Sequence, residues 1–245
     1  RLTDVTGVQT CALPISVVCR ESLSELTSAV AMSRCDDKRV THRVLAGAGL
    51  KVPAQYVNET PHEDTGGRWV VKPARGEQGA GISVDVRTPE ELDRAVKAAQ
   101  EECQDYIVEA FIEGEDLRLI VIDFEMVAAA VRRPPVITGD GRLAVAALIE
   151  KYNRRRSAAT GGESRVPVDD ETLRCLRMEG VDLETVLPAG VAVKVRKTAN
   201  LHTGGTIHDV TAKLHPALAQ AAVRAAKAID IPVTGLDFID RKSVV

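Results

Sequence analysis

Hydrophobic positions in this chain recur with two periods, and the switch between them divides it into strands and helices. Residues 70–73 and 82–86 read as two strands joined by a glycine-rich turn. Thr88, Pro89 and Glu91 then form an N-cap, an N1 proline and an N3 acid, a capping box that opens a helix to about Cys103. Leu92, Ala95, Val96 and Ala99 share one face of it. Residues 105–111 return to period two, with Tyr106, Val108 and Ala110 on one side and Ile107 and Glu109 on the other. Residues 68–112 therefore form a β-β-α-β unit.

Upstream, Leu23, Leu26 and Val30 at helical spacing predict a helix over 17–34. Asp36 or Asp37 caps the next one, with Val40, Val44 and Leu45 on a face that stops at Gly47 and Gly49. Residues 50–57 are extended and 58–67 form a polar loop. Downstream, 117–123 and 125–133 are adjacent strands, broken by Pro134, Pro135 and the glycines of 139–141. A helix starts over 145–151, 152–166 reads as a basic glycine-containing loop, and 169–178 is a short helix. A half-buried strand spans 191–198. His215 and Pro216 open a helix with Leu218, Ala222, Ala225 and Ile229 in register, and 231–238 is a last apolar strand. This mixed order predicts α+β layers rather than a doubly wound parallel sheet.

Composition narrows the function classes. At 245 residues with 27% charged side chains and a net charge of -3, the chain can bury a core but carries no general basic field for nucleic acid. The five cysteines are scattered without a CxxC pair, which fits a reducing cytoplasm better than a disulfide framework. No apolar run reaches the ~20 residues of a membrane span. Both ends look foreign. VTGVQTCALPIS (5–16) resembles a translated sequencing adapter, as does DRKSVV (240–245), and a signal peptide is rejected because the n-region lacks a positive cluster. The expected division is a foreign tail 1–16, a helical and extended part 17–67, a lid unit 68–112, a C-terminal unit 113–239 and a foreign tail 240–245.

Candidate chemistry begins with VVKPARGEQGAGISVDV (70–86). Gly76, Gly79 and Gly81 permit a tight reversal, and bare N–H groups beside Lys72 and Arg75 make a concavity suited to phosphate. By itself the loop is equally an ordinary glycine hairpin. Lys38 opens a capped helix, where its charge opposes the helix dipole unless an anion is near. His42, His62, His202, His208 and His215 show no metal-ligand spacing, and no Ser/His/Asp or Cys/His nucleophile stands out.

Lys38 before a capped helix, VVKP with the glycine loop, VEAFIEGEDLR (108–118) and TGLDF (234–238) occur in the order of an ATP-grasp ligase. RRPPVITGDGR (132–142) and NLHTGGTIHDVT (200–211) resemble its cyanophycin- and glutathione-synthetase-like branch. The resemblance covers about 30–239. It implies an ATP-grasp fold of two α+β subdomains with nucleotide between them, and ATP with Mg2+ as cofactors. It implies amide formation through an acyl phosphate, on small amino-acid or dipeptide substrates, in the cytoplasm, with no nucleic-acid or membrane partner; self-association is compatible with it. Lys38 and Lys72 would hold phosphates under Gly76, Gly79 and Gly81. Glu109 would face the adenine amino group, with Ala110 and Phe111 lining the ring, and Asp116 would accept from the ribose. Arg118 and Arg133 would contact the transferring phosphoryl group, Asn200 and the glycines after it the substrate, and Asp237 the magnesium. The family's other metal ligands lie on a following strand, which this sequence does not contain, so the chain as written is expected to turn over poorly. The alternatives are a ligase with a different acceptor and a non-catalytic ATP-binding module.

Overall fold

The computed structural model describes residues 18–20, 23–61, 67–76 and 79–241. Most of both expected tails, 1–16 and 242–245, lies outside them. The described chain opens with a short hairpin, β1 (Cys19–Arg20) and β2 (Leu23–Ser24), not a helix. Helix α1 starts only at Ala29 (Ala29–Asp36), because the Ser28 hydroxyl accepts from the Ala31 N–H and fixes the N-terminus there. Leu26 and Val30, expected on a buried face, are exposed. Helix α2 (Lys38–Gly47) follows at once, capped by the Asp37 carboxylate on the Arg39 N–H.

The first layer is an antiparallel sheet in the order β3-β6-β4-β5: β3 (Gln55–Val57), β4 (Trp69–Pro73), β5 (Ser83–Val86) and β6 (Tyr106–Ala110). Helix α3 (Pro89–Glu102), inserted between β5 and β6, covers one face with Ala95 and Ala99 against Val71, Val86 and Val108. Its cap differs in one detail from the expected box. Thr88 accepts from Glu91 N–H, but Glu91 returns to the N–H of Arg87 rather than that of Thr88.

The second layer pairs β7 (Glu115–Ile122), β8 (Glu125–Arg133), β11 (Thr206–Asp209) and β12 (Val233–Asp240) in the order β11-β8-β7-β12. Between β8 and β11 runs an insertion: β9 (Val136–Thr138), α4 (Val145–Thr160), α5 (Asp170–Met178) and β10 (Ala192–Lys194). It has its own core of Ile137, Leu148, Ile149, Leu176 and Val195, separate from the sheet's. The basic loop expected at 152–166 is instead mostly helix. Its glycines lie beyond the helix end, where Gly161 takes the left-handed cap conformation at φ 63°. Strand β11 (Thr206–Asp209), unforeseen within the polar 200–211 stretch, pairs with β8 along its edge. Helix α6 (Pro216–Ile229) packs on β7 and β8 through Ala222 and Ala226, and β12 (Val233–Asp240) closes the sheet beside β7. Asp240, assigned to the foreign tail, is the last residue of that strand and lies opposite Glu115.

Asp85 joins the first layer to the insertion. It is 1% exposed, has φ 64°, and takes Arg68 Nε at 2.5 Å and Arg87 Nη2 at 2.8 Å, with Lys197 Nζ 3.9 Å away. Arg174 of α5 adds a second tie by donating to the Val84 carbonyl at 2.5 Å. Burial pushes the Asp85 carboxyl up, but Arg68 and Arg87 outweigh it and leave it below the ordinary range. The stability it confers is then complete above about pH 4, the usual aspartate value, and fades as pH falls through its lower folded value. Asp85→Asn keeps the shape and tolerates positive φ. Urea titration at pH 7 should show a loss of about 2–3 kcal/mol, the scale of charged hydrogen bonds, and the difference from wild type should shrink below about pH 3.

Candidate active site

Strand alternation places two sets of charged side chains on faces that the helices leave open. On the first sheet, α3 covers the face carrying Val71 and Val108, so Lys72 and Glu109 point the other way. Lys72 Nζ donates to Glu109 Oε2 at 2.6 Å, and Gln55, directly opposite on β3, donates to Oε1 at 2.9 Å. Burial pushes the Glu109 carboxyl up; the charge and hydrogen bond of Lys72 and the bond from Gln55 overcome this and leave it below its usual value. Lys38, at the first position of α2, reaches the glycine turn: its N–H donates to Ala74 O and its Nζ to Gly76 O, both at 3.0 Å. Burial, and then repulsion from Lys72, lower the Lys38 pKa. Two lysines thus share one desolvated corner beneath the turn, with Glu109 as the counter-charge to Lys72. That corner favours an added anion.

The structure brings Lys38, Lys72 and Glu109 together, and Arg75 points elsewhere. Its guanidinium turns to Asp37 at 3.4 Å and Asp36 at 3.6 Å, away from a phosphate role. Ala110 and Phe111 follow at the end of β6. The Arg68 guanidinium lies 4.2 Å from the Phe111 ring centroid, so this aromatic surface already carries a stacked cation.

On the second sheet, Leu117, Leu119 and Val121 fill the core beneath α6, which leaves Asp116 and Arg118 on the outer face. Arg118 Nη1 donates to Asp237 Oδ1 at 2.8 Å across the β7–β12 pair. Arg118 can lie flat there because residue 235 is glycine; a Cβ at that position would fall 2.3 Å from Nη2. The partner from β8 is Arg132, not Arg133. Val131 is buried and Arg133 is exposed, so alternation gives the working face to Arg132, which bonds Asp116 at 2.7 Å and lies 3.1 Å from Asp237. Counting outward from buried Val131 was the signal that identifies Arg132. Asp116 is held by burial, and then by the charge of Asp237, above its ordinary value, with Arg132 pulling it back.

Asp237 was expected among apolar neighbours in need of a cation. Leu236 and Phe238 do face the core, but Asp237 faces out, 55% exposed, with two arginines as its partners. Magnesium commonly binds through one or two carboxylates together with substrate phosphates. Asp237, with Asp116 across Arg132, offers that kind of donor set, although no three His, Cys, Asp or Glu side chains gather at one point among the described residues. Buried Cys175, its thiol pushed up to about 12 chiefly by burial, is no nucleophile.

The loop 200–206 joins this chemistry to the insertion. A Cβ on Gly79 of the glycine turn would stand 3.0 Å from Asn200 Nδ2, so turn and loop are in close approach. Helix α4 grips the far end: Tyr152 Oη donates to Gly204 O at 2.6 Å and Arg156 Nη2 to Gly205 O at 2.7 Å. Arg156 also reaches the Ser164 hydroxyl, which donates to Leu201 O at 2.5 Å. Tyr152 and Arg156 lie four residues apart on one helical face, a spacing the loop reading of 152–166 concealed. Within the basic 152–166 stretch, Arg156 bonds the Gly205 carbonyl and Arg154 pairs with Glu150 at the surface.

These faces belong to a known architecture. Residues 35–134 match the model of the ATP-grasp domain, and the chain has the ATP-grasp fold. It is 35% identical over 228 residues to the cyanophycin synthetase of Nostoc sp., covering 89% of this chain and 25% of that protein. Among solved structures, the bifunctional glutathione synthetase of Pasteurella multocida is 25% identical with a TM-score of 0.52, over 89% of this chain and 31% of that one. D-Alanine–D-alanine ligase from Bacillus anthracis shares the fold at 13% identity with a TM-score of 0.56, over 89% of this chain and 57% of that one. The chain spans about a quarter of the length of the curated synthetases it matches.

Arg156→Ala should free the Gly205 carbonyl at a cost of about 1–3 kcal/mol. Amide hydrogen exchange across 200–206 should accelerate by about five- to 150-fold, the rate equivalent of that cost in local opening, while exchange in β7 stays unchanged.

Proposed function

We propose that this chain is the nucleotide-binding part of an ATP-dependent carboxylate–amine ligase. The observation that carries the reading is the desolvated pair Lys38 and Lys72 beneath a glycine turn, on a fold shared with peptide-forming ligases. A carboxylate takes the γ-phosphoryl group of ATP, releasing ADP. An amine then forms the C–N bond, phosphate leaves, and the amine gives up a proton. Such chemistry asks for positioning and charge neutralisation rather than a covalent nucleophile. Lys38 and Lys72 bind phosphate oxygens, and Arg118 and Arg132 neutralise charge on the phosphoryl group in transit. Arg133 serves only if its long side chain reaches over the β8–β11 edge. Asp237 would hold the magnesium that enters with the nucleotide and spreads the charge of the triphosphate. Glu109 and Asp116 keep the adenine and ribose roles that the sequence motifs imply.

The product proposed is N-acetylglutaminylglutamine, an osmoprotectant dipeptide. VKPARGEQGAGISVDVR, NRRRSAATGGESR and VRKTANLHTGGTIHDVT together resemble the synthetase that makes it. A cyanophycin- or glutathione-synthetase-like ligase is the neighbouring option, since the Nostoc and Pasteurella relatives bear those names. The small carboxylate set favours one competing reading, a non-catalytic ATP-binding module.

Hydroxylamine trapping, on a chain that also carries the family's following metal-ligand strand, separates the ligase from the module. With ATP, Mg2+ and N-acetylglutamine the ligase forms a hydroxamate and releases ADP in step; nucleotide binding without either product leaves the module. Lys72→Ala should weaken ATP binding by about 1–3 kcal/mol, the scale of a lost charged hydrogen bond, in isothermal titration. Unchanged affinity would remove Lys72 from the phosphate site.

A further inference from the structure

A cavity of about 520 Å³ opens beside the 200–206 loop, against the insertion rather than between the two sheets. Ile149 of α4 and Val166 give it an apolar wall, and Glu150, Arg165, His202 and Thr203 form a polar rim. The wall is fixed from behind. Buried Asn153 holds both backbone groups of Val166, accepting from its N–H at 2.7 Å and donating to its carbonyl at 2.9 Å. The N–H of Arg165 donates to His202 O at 3.1 Å, so the backbone that carries the arginine is stitched to the loop.

The charges around the cavity are unequal in their commitments. Glu150 is engaged with Arg154 at 3.0 Å. The Arg165 guanidinium has no ion pair or hydrogen bond among the described residues, unlike Arg68, Arg118, Arg132, Arg156, Arg174 and Arg196. A guanidinium with no partner among the described residues, on the lip of a partly apolar cavity, matches a planar carboxylate on an aliphatic stem, because its fork meets both oxygens. The same loop carries Asn200 against Gly79 of the glycine turn, so it runs from the cavity to the nucleotide corner.

We infer that this cavity is the subsite for the non-reacting α-carboxylate and aliphatic stem of the acceptor amino acid, with Arg165 pairing the carboxylate and Thr203 beside it. The inference rests on the ligase reading for the word acceptor. The cavity's preference for an amino-acid carboxylate stands without it. The two are tested separately.

The probes are L-glutamine, L-arginine and L-aspartate, each beside its α-carboxamide. Saturation-transfer NMR without nucleotide reads binding, and ADP release with N-acetylglutamine and ATP reads turnover. In the wild type at least one free acid should outbind its amide about tenfold or more. In Arg165→Ala that preference should vanish, KM for the acid should rise at least tenfold, and KM for ATP should stay fixed; Arg165→Lys should recover part of it. Arg165 is exposed, and an unchanged melting temperature in both variants establishes that they fold. Arg165-dependent binding without turnover, in a chain that also carries the family's following metal-ligand strand, leaves the subsite and removes the ligase. Turnover with an acid-to-amide ratio indifferent to Arg165 removes the subsite and leaves the ligase. Neither binding nor turnover overturns both.

Discussion

The arrangement depends on keeping two ammonium groups close together in a partly buried corner. Lys38 comes from a helix terminus and Lys72 from the middle of a strand, and their repulsion opposes folding. Three local features offset that cost. Glu109, pinned by Gln55, cancels one charge at 2.6 Å. The Asp37 cap fixes the start of α2, so the Lys38 N–H meets Ala74 O and its side chain is aimed at Gly76 O. The glycine turn then presents backbone where side chains would collide. At Gly81, for example, φ is 64° and an added Cβ would fall 2.9 Å from Glu102. What remains is one net positive charge, two lysines against one glutamate, in a place that water solvates poorly.

The second sheet shows the opposite balance. Asp116 and Asp237 face Arg118 and Arg132, two against two, and the quartet is neutral before any ligand arrives. On the ligase reading, a triphosphate would meet too little positive charge from these two corners alone, and a divalent cation would supply the remainder. Arg118 and Arg132 hold the Asp237 carboxylate that such a cation would take. Gly235 makes this geometry accessible by leaving room for Arg118 to lie on β12.

Much of this was legible in the sequence where local rules decide the outcome. The caps at Asp37 and Thr88, the faces of β6 and α6, and the convergence of Lys38, Lys72 and Glu109 follow from period and motif order. The misreadings have particular causes. Gly161 and Gly162 suggested a loop through 152–166, but glycine just past a helix end is a stop signal, and the arginines before it are helical. The resemblance pointed to Arg133, whereas Arg132 is the one that shares the sheet face with Asp116, because Val131 beside it is buried. Leu23, Leu26 and Val30 had helical spacing without a cap before Ser28, so period alone misled. Asp85 gave no local sign, because its partners come from β4's approach, from the next residue but one, and from Lys197 more than a hundred positions away.

That last case explains how the insertion is coupled to the nucleotide corner. Lys197 approaches Asp85 from the segment that continues directly into Asn200, and Arg174 binds the carbonyl of Val84 next door. The glycine turn leads into β5, the strand that carries both Val84 and Asp85. The turn and the 200–206 loop approach each other at Gly79 and Asn200, and the segment leading into the loop approaches β5 at Lys197 and Asp85. Displacing the turn or β5 therefore disturbs the contacts that position the loop beside the cavity.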